Sequence, residues 1–224
     1  MLLRHGASEW NEEDRFTGWT DVPLSDTGRR RAKDLGRVLG DGGPPPSVVH
    51  ASELSRAAET AEILADAAGW RGTELRTAWP LNERDYGELE GWRRSDVRQA
   101  LGERAYRAMH RGWTVAPPVG LAANEDAIGA RHRYPRIGYP AGSSRVAGPG
   151  AGESLAQVSD RVVQYWLNVV KPELGSGQNV LIVAHSNSLR VLVKLLRSLP
   201  ASELASIEIN VCQPIVVQPG QSAG

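Results

Sequence analysis

Apolar residues along this chain fall into two patterns, short unbroken runs and stripes at helical spacing. Unbroken runs are typical of strands that are covered on both faces. They occur at residues 2–3, 48–51 and 179–184, with a weaker strand predicted at 73–76. Stripes at helical spacing predict helices at residues 25–39, 56–68, 95–101, 103–110, 153–171 and 188–199. Strands and helices therefore alternate along most of the chain.

This alternation predicts an α/β fold with a mostly parallel central sheet, helices on both faces and right-handed crossovers. Two more short strands are expected at residues 207–209 and 215–217. Residues 117–152 are rich in Gly, Pro and Ala with little periodicity, which predicts a long loop. We expect one domain over residues 1–224, with a loop-rich insertion at about 84–152 lying over the functional site and a disordered tail at 218–224.

Composition narrows the class of protein only slightly. Hydrophobic residues make up 41% and charged residues 23%, as in a soluble globular enzyme, and the formal net charge of zero favours neither a nucleic acid nor a membrane as partner. The one cysteine, Cys212, excludes an internal disulfide and a multi-cysteine metal site. No apolar run approaches the ~20 residues that span a bilayer. Because Met1 leads straight into the first motif, leaving no room for a signal peptide ahead of it, we expect a cytoplasmic protein.

Two histidines stand directly after predicted strands. His5 follows the first strand with Arg4 beside it, and His185 follows the strongest strand of the chain. Ligands of parallel sheets sit beyond the carboxyl ends of the strands, and adjacent strands would bring both rings to one cleft. Around a phosphate, one imidazole can attack phosphorus while the other stabilises charge, and an arginine can contact two oxygens at once.

Further polar residues near these strand ends suit an anion. Ser8, Asn11 and Thr17 offer neutral donors, and Gly18 lets backbone N–H groups approach closely. Arg56 opens the helix after the second strand and could reach the same sheet edge. A carboxyl group could protonate a leaving alkoxide, and spacing alone leaves four candidates: Glu83, Asp85, Glu88 and Glu90.

Residues 3–11 and 15–25 closely resemble the N-terminal signature of cofactor-dependent phosphoglycerate mutases, which belong to the histidine phosphatase superfamily. The segment around Arg56 and the run Asn-Glu-Arg-Asp-Tyr-Gly at 82–87 resemble two further signatures of that family. The resemblance implies a metal-independent mutase of glycolysis and gluconeogenesis that interconverts 3-phosphoglycerate and 2-phosphoglycerate. It also implies priming by 2,3-bisphosphoglycerate, a small phosphorylated hydroxy-acid substrate and a possible homodimer.

Carried over by position, the resemblance makes His5 the phosphorylated nucleophile, Glu83 the general acid and base, and His185 the stabiliser of the transition state. The groups implied to bind phosphate or carboxylate are Arg4, Ser8, Asn11, Thr17, Gly18, Arg56, Tyr86, Arg94, His110, Arg111, Ser186 and Asn187.

Three of these positions depart from the family pattern. Arg94 stands where the family has a lysine, His110 replaces one of two arginines, and Ser186 replaces a glycine. His110 thus exchanges a permanent cation for a titratable one. Because these changes lie at substrate contacts, we hypothesise retained chemistry on a close analogue of phosphoglycerate, as in a specialised pathway. The alternatives are a histidine phosphatase that hydrolyses a small phosphorylated metabolite and a catalytically silent binding protein.

Overall fold

Four parallel strands form the central sheet. The computed structural model describes residues 1–141 and 150–217. Within them, the sheet contains β1 (Leu2–Arg4), β2 (Val48–Ala51), β3 (Glu74–Thr77) and β4 (Val180–Ala184), in the spatial order β1-β4-β2-β3. Every pairing among these strands is parallel. The predicted α/β fold with a mostly parallel sheet is therefore confirmed.

Helices connect and cover these strands. They are α1 (Glu9–Glu12), α2 (Asp26–Asp41), α3 (Ser55–Ala67), α4 (Arg94–Leu101), α5 (Glu103–Arg111), α6 (Glu125–Arg131), α7 (Leu155–Tyr165), α8 (Lys171–Gly175) and α9 (Ser186–Leu196). A π-helical turn, Trp166–Val170, continues α7 into α8. In the described part of the chain, no helix is long and apolar enough to cross a membrane.

Each face of the sheet has its own apolar core, because successive side chains of a strand point to opposite faces. On one face, Ile182 of β4 belongs to a buried cluster with Val162 of α7 and with residues of α9. On the other, Leu181 of β4 packs in a cluster with Leu64 of α3. All of β4 is buried, so its unbroken apolar sequence follows from a position covered on both faces.

The start of α2 lies directly against the segment that follows β1. The hydroxyl of Ser25 accepts the N–H of Gly28 at 3.1 Å and donates to the carbonyl of Ala7 at 3.1 Å. A Cβ atom on Gly28 would lie only 2.1 Å from the Ala7 carbonyl oxygen. This close approach of backbones fixes the segment that carries His5 and requires glycine at position 28.

Two buried arginines hold the ends of the insertion. Arg84 donates to the carbonyls of Glu153, Met109 and Val115 at 2.6, 2.9 and 2.8 Å. Arg161 of α7 pairs with the Glu153 carboxylate at 2.8 Å. Between these anchors, α4, α5 and α6 surround a third apolar cluster, so the insertion packs on the rest of the molecule through a core of its own.

The prediction of loop throughout residues 117–152 is wrong for part of that stretch. Residues 125–131 form α6, and Asn124 caps the helix by accepting the N–H of Ala127 at 3.0 Å. Two turns of helix with few apolar residues are too short for helical periodicity to show in the sequence. Residues 142–149 of the predicted loop lie outside the described residues, as does the predicted tail.

The strands expected at residues 207–209 and 215–217 are also wrong. Ala201–Ser206 forms a 3₁₀ helix, and the chain then passes β1 with isolated bridges at Val211 and Ile215 instead of a continuous ladder. The apolar residues that suggested strands pack against the sheet core; Ile209 is buried there. The last predicted helix, 188–199, is observed two to three residues earlier, at Ser186–Leu196.

We expect Gly28→Ala to lower the free energy of unfolding by about 1–3 kcal/mol, the usual cost of overpacking a filled site. The added methyl group would collide with the Ala7 carbonyl. Urea denaturation measures the effect. The matched control is Gly129→Ala in α6, where a Cβ meets nothing within 4 Å and helix propensity predicts a gain of up to ~1 kcal/mol. Equal stability of the two variants would contradict the close approach.

Candidate active site

Strands β1 and β4 bring the two candidate histidines together. Arg4 is paired with Ala184 in the register of the sheet, so His5 and His185 each occupy the next position beyond neighbouring strands. Their ring centroids are 4.8 Å apart with the planes tilted by 58°. Two residues separated by 180 positions in the sequence thus share one buried point because their strands are adjacent and parallel.

The tautomer of His5 is set by the backbone. Its Nδ1 lies 2.5 Å from the carbonyl oxygen of Gly6, and since a carbonyl can only accept, Nδ1 carries the hydrogen. The lone pair is therefore on Nε2. Burial, and after it the positive charges of Arg56 and Arg4, hold the pKa of His5 well below its usual value. The ring is neutral at physiological pH, as a nucleophile must be.

His185 is held by a hydroxyl instead. Its Nε2 lies 2.7 Å from the Oγ of Ser52, and Ser52 donates its own hydrogen to the Asn82 side-chain oxygen at 3.1 Å. His185 Nε2 is then the donor, and Nδ1, buried without a partner among the described residues, has the lone pair. Burial, and after it the charges of Arg56 and His5, lower the pKa of His185 well below the usual value.

Arg56 stabilises the backbone turn at residues 17–20. Its two terminal nitrogens donate to the carbonyls of Thr20 at 3.0 Å and Gly18 at 2.8 Å. The side chain is fully buried and burial lowers its pKa to about 10, so the guanidinium remains charged at neutral pH. This cation is therefore held by neutral carbonyls beside both histidines.

The carboxylate of Glu90 also holds the turn at residues 17–20, through hydrogen bonds. Its carboxylate accepts the N–H of Trp19 at 2.8 Å and both the N–H and the hydroxyl of Thr20, at 3.1 and 2.7 Å. A Cβ on Gly18, which has φ of +56°, would lie 2.1 Å from Glu90 Oε1. Burial raises the pKa of Glu90 to about 7, against the opposing charge of Arg136. The sequence offered Glu90 only as one of four candidate acids, yet it shapes the site through the backbone.

The insertion contributes the cation that balances Glu90. Arg136 contacts Glu90 at 3.1 Å and the buried Asp85 at 2.7 Å. Nearby, the ring of Tyr139 stacks on Trp19 with a centroid separation of 4.3 Å. Residues 136–139 are thereby fixed to the turn at 17–20, which lies between the insertion and the histidines.

Glu83, the predicted acid and base, is held at the start of α9. Its Oε1 accepts the backbone N–H groups of Arg84 at 2.8 Å and Asn187 at 3.2 Å. The amide of Asn187 in turn donates to the hydroxyl of Tyr86 at 3.1 Å. With Oε1 occupied by two donors, Oε2 is the oxygen that can exchange a proton with a ligand.

These groups surround a cavity of about 730 Å³. The predicted residues that line it are Arg4, His5, Asn11, Thr17, Gly18, Arg56, Glu83, Tyr86, Arg94, His110, Arg111, Ser186 and Asn187. The lining residues that the sequence analysis did not select are Asp14, Ser95, Arg98, Glu103, Tyr106, Arg107 and Arg190. Most of these lie on α4 and α5, and their arginine-rich spacing on two amphipathic helices was the available signal.

Ser8 occupies a supporting position. Its hydroxyl accepts the N–H of Asn11 at 3.3 Å, and the Asn11 side-chain oxygen accepts the N–H of Ser8 at 3.1 Å. Together they form a capping box that begins α1. Ser8 thus orients Asn11, which lines the cavity, whereas neither Ser8 nor His185 is itself a lining residue.

The electrostatics of the cavity suit an anion. Among the described residues, its lining contains seven arginines (4, 56, 94, 98, 107, 111 and 190) and three carboxylates (Asp14, Glu83 and Glu103). Several lining atoms are buried without a partner in the described part of the chain: Arg4 Nε, Thr17 Oγ1, Arg94 Nε and Arg111 Nη1. Buried donors are normally satisfied, so an arriving phosphate or carboxylate would complete their hydrogen bonds. No cluster of three or more His, Cys, Asp or Glu suited to a metal occurs in residues 1–141 and 150–217.

His110 differs from the expectation of a titratable cation. Burial, and after it the charges of Arg111 and Arg94, lower its pKa to about 3. The imidazole is therefore neutral at physiological pH, and its ring lies against Tyr106 and Phe16. Arg94 is itself balanced by Asp14, at 2.5 Å.

The parallel sheet thus brings two histidines, two arginines and a glutamate together at an arginine-rich cavity, an arrangement suited to phosphate. The chain belongs to the histidine phosphatase superfamily, branch 1, which it matches over residues 1–137 and 125–223. This confirms the family that the sequence motifs indicated. Proteins of this superfamily work through a phosphohistidine and without a metal.

Individual proteins are similar to this chain over most of its length. A phosphoglycerate mutase of Candida albicans is 38% identical over 223 residues, which are 97% of this chain and 85% of the relative. Two solved structures superpose with TM-scores of 0.67, each covering 94% of this chain and 85% of the other. One is a mycobacterial glucosyl-3-phosphoglycerate phosphatase complexed with VO3, 25% identical, and the other is YhfR of Bacillus stearothermophilus, 27% identical.

Glu90→Gln should weaken binding of inorganic phosphate at pH 8 by about 10-fold, the value of one charge-assisted hydrogen bond. Glutamine offers one acceptor oxygen where the turn presents three donors, and its amide faces Arg136. Calorimetric titration measures the dissociation constant. Glu88→Gln, in the same segment but bonded to Gly120 away from the turn, should bind phosphate within about 2-fold of the native protein. Native affinity in Glu90→Gln would contradict this support of the turn.

The neutral His110 predicts a contribution to acid sensitivity. Its pKa is about 3 in the folded protein and ~6.5 in the unfolded chain. Between these values the unfolded chain binds the extra proton, so stability falls as pH falls below 6.5, by up to ~1.4 kcal/mol per pH unit. His110→Gln should remove this contribution and make the slope shallower, while the contributions of His5 and His185, whose pKa values are also lowered, remain.

Urea denaturation of the native protein and His110→Gln at pH 7, 6 and 5 measures the difference. His132→Gln is the control, because His132 is exposed at the end of α6 and its removal should leave the native slope unchanged. An unaltered slope in His110→Gln would show that the buried ring does not resist protonation.

Proposed function

We propose that this protein transfers phosphoryl groups through a phosphohistidine on His5, interconverting 3-phosphoglycerate and 2-phosphoglycerate or a close analogue. The observation that carries the proposal is the pair of buried, neutral imidazoles 4.8 Å apart beside the arginine-rich cavity. The mutase relative, 38% identical over nearly the whole chain, supports the substrate class.

In the first step, His5 Nε2 attacks phosphorus, forming the N–P bond while the bond from phosphorus to the substrate oxygen breaks. Arg4 and Arg56 balance the negative charge on the transferring group. Oε2 of Glu83 donates a proton to the leaving alkoxide, and it later recovers a proton from the hydroxyl that accepts the phosphoryl group. The second transfer reverses the bond changes on a different oxygen of the glycerate skeleton.

His185 stabilises the transferring group from the other side. Its Nδ1 has a lone pair and no hydrogen bond within the described chain. Binding of a phosphate dianion favours protonation of a nearby imidazole. A proton taken up at Nδ1 turns His185 into a charged donor to a phosphoryl oxygen, and Ser52 holds the ring in that orientation.

The donor set also fits 2,3-bisphosphoglycerate as primer. The unpartnered nitrogens of Arg4, Arg94 and Arg111 are spread along the cavity, so they can contact two anionic groups of one molecule. The bisphosphate would phosphorylate His5 and leave a monophosphoglycerate behind. The proposed reaction uses no metal. We also propose that the protein is cytoplasmic, which is consistent with a small acidic substrate.

A histidine phosphatase is the second candidate, and a specific observation favours it. The position implied to be a second arginine is the neutral His110, and Arg94 is paired with Asp14. Both features weaken the binding of a bisphosphate, so the phosphoryl group on His5 would be transferred to water and not to a second glycerate oxygen. One of the similar solved structures is itself a glucosyl-3-phosphoglycerate phosphatase.

Incubation with 2,3-bisphosphoglycerate labelled with radioactive phosphorus, in the presence of 3-phosphoglycerate, separates these functions. A mutase gives an acid-labile phosphoenzyme and labelled 2-phosphoglycerate that depends on the primer. A phosphatase gives the same phosphoenzyme but releases the label as inorganic phosphate. The absence of any phosphoenzyme would contradict both.

His5→Ala should abolish the phosphoenzyme and reduce turnover by at least about 10³-fold, since the variant has no nucleophile. Retention of the label by the acid-quenched protein and the rate of product formation measure the effect. His132→Gln removes an exposed histidine and should behave as the native protein. A labelled His5→Ala protein would assign the adduct to another residue.

A further inference from the structure

Arg190 is a buried cation that the mechanism above does not use. It lies on α9, one turn beyond Ser186, is 5% exposed, and lines the cavity. Its Nε donates to the carbonyl of Ile207 at 3.0 Å, Nη1 to the side-chain oxygen of Asn187 at 2.8 Å, and Nη2 to the hydroxyl of Ser186 at 3.2 Å. All three acceptors are uncharged.

Arg111 provides a second unbalanced cation on the same cavity. It is the last residue of α5, and its Nη1 is buried without a partner in the described part of the chain. Burial, and after it the charge of Arg111, lower the pKa of Arg190 to about 10. Arg190 is buried and Arg111 half-buried, and neither contacts a carboxylate among the described residues, so an arriving anion stabilises two cations that repel each other.

The other arginines beyond the histidines are already balanced. Arg94 contacts Asp14 at 2.5 Å. Arg98 and Arg107 share the carboxylate of Glu103 and are largely exposed, at 57% and 76% of the side chain. The unsatisfied positive charge in this half of the cavity is therefore concentrated at Arg111 and Arg190.

We propose that Arg190, together with Arg111, binds the second anionic group of the substrate, the carboxylate or non-transferring phosphate of a phosphorylated hydroxy acid. This assignment rests on the proposed function, which places the transferring phosphoryl group at His5. Arg190 on α9 supplies the cation that His110 on α5 does not.

The geometry of Arg190 suits this role. A guanidinium has five N–H donors, and three are used by Ile207, Asn187 and Ser186. Those three bonds fix the plane of the group, and the remaining two N–H donors can contact a carboxylate or phosphate. The same bonds connect the guanidinium to Asn187, whose backbone N–H contacts Glu83. Binding of the second anion thus aligns the substrate with the residue that exchanges its proton.

The test compares two ligands that differ in the second anionic group. 3-Phosphoglycerate has a phosphate and a carboxylate, whereas glycerol 3-phosphate has the phosphate and an uncharged hydroxymethyl group. Calorimetric titration of the full chain gives a dissociation constant for each. Arg190→Gln should weaken the binding of 3-phosphoglycerate by about 10- to 100-fold, the effect of losing one charged hydrogen bond. It should weaken the binding of glycerol 3-phosphate by less than about 3-fold.

Two further variants complete the comparison. Arg190→Lys retains the charge but loses the paired N–H donors of the planar guanidinium. Its affinity for 3-phosphoglycerate should therefore lie between those of the native protein and the glutamine variant. Arg197→Gln removes an exposed arginine just after the same helix and should bind both ligands as the native protein does. 2,3-Bisphosphoglycerate as a third ligand shows whether the pair accepts a phosphate as well as a carboxylate; in either case Arg190→Gln should reduce the preference for the doubly anionic ligand.

A second measurement needs no variant. Because Arg111 and Arg190 are among the charges that lower the pKa of His110, an anion bound between them should raise it. An NMR titration of His110 should move to higher pH with 3-phosphoglycerate and much less with glycerol 3-phosphate. Equal weakening of both ligands by Arg190→Gln, or an equal shift of His110 with both, would overturn the assignment of Arg190. A native protein that binds glycerol 3-phosphate as tightly as 3-phosphoglycerate would overturn both the assignment and the proposed substrate class.

Discussion

The site depends on buried arginines whose hydrogen-bond partners, in the described part of the chain, are neutral carbonyls and not carboxylates. Arg56 donates to two backbone carbonyls and Arg4 to the carbonyl of Ile209 at 3.0 Å. Neutral acceptors fix the direction of each guanidinium without cancelling its charge. The same field, added to burial, keeps His5 and His185 unprotonated. In the proposed reaction, one electrostatic arrangement therefore prepares the nucleophile and attracts the group that it attacks.

Such an arrangement is costly unless the surroundings are rigid, because buried like charges would move apart or admit water. The sheet supplies that rigidity at one end of the cavity, where β1 and β4 fix the two rings. At the other side, Glu90 and Arg136 hold the turn at residues 17–20 from the insertion. Glu83 and Glu90 accept backbone N–H groups, and Asp14 and Glu103 pair with arginines of α4 and α5. Arg4 and Arg56 therefore stay available to a ligand.

The insertion supplies a large part of the cavity lining. It supplies α4, α5 and the residues near Arg136, so it forms both the far wall of the cavity and the support of the turn. His110 and Arg94 belong to that wall, where Asp14 pairs with Arg94, and Arg190 of α9 lines the same cavity. In the proposed reaction, the residues assigned to the second anionic group are therefore separate from the residues assigned to phosphoryl transfer.

The sequence alone was sufficient for the sheet, most helices and the family, and it selected His5, Arg4, Arg56, Glu83 and His185, which the structure brings close together. These follow from local patterns: apolar runs mark the strands, and the reactive residues stand next to them. It failed for α6, because seven residues carry too little periodicity, and for the last two strands, because burial and strand pairing leave the same apolar signature.

Only the tertiary structure decided the protonation of His110, the supporting role of Glu90 and the position of Arg190. Each of these depends on which charges and backbone groups lie within a few ångströms after folding, and those neighbours come from distant segments. The sequence determines which chemical group each side chain carries, but the pKa of that group and its unused hydrogen-bond donors and acceptors depend on its neighbours in the folded protein.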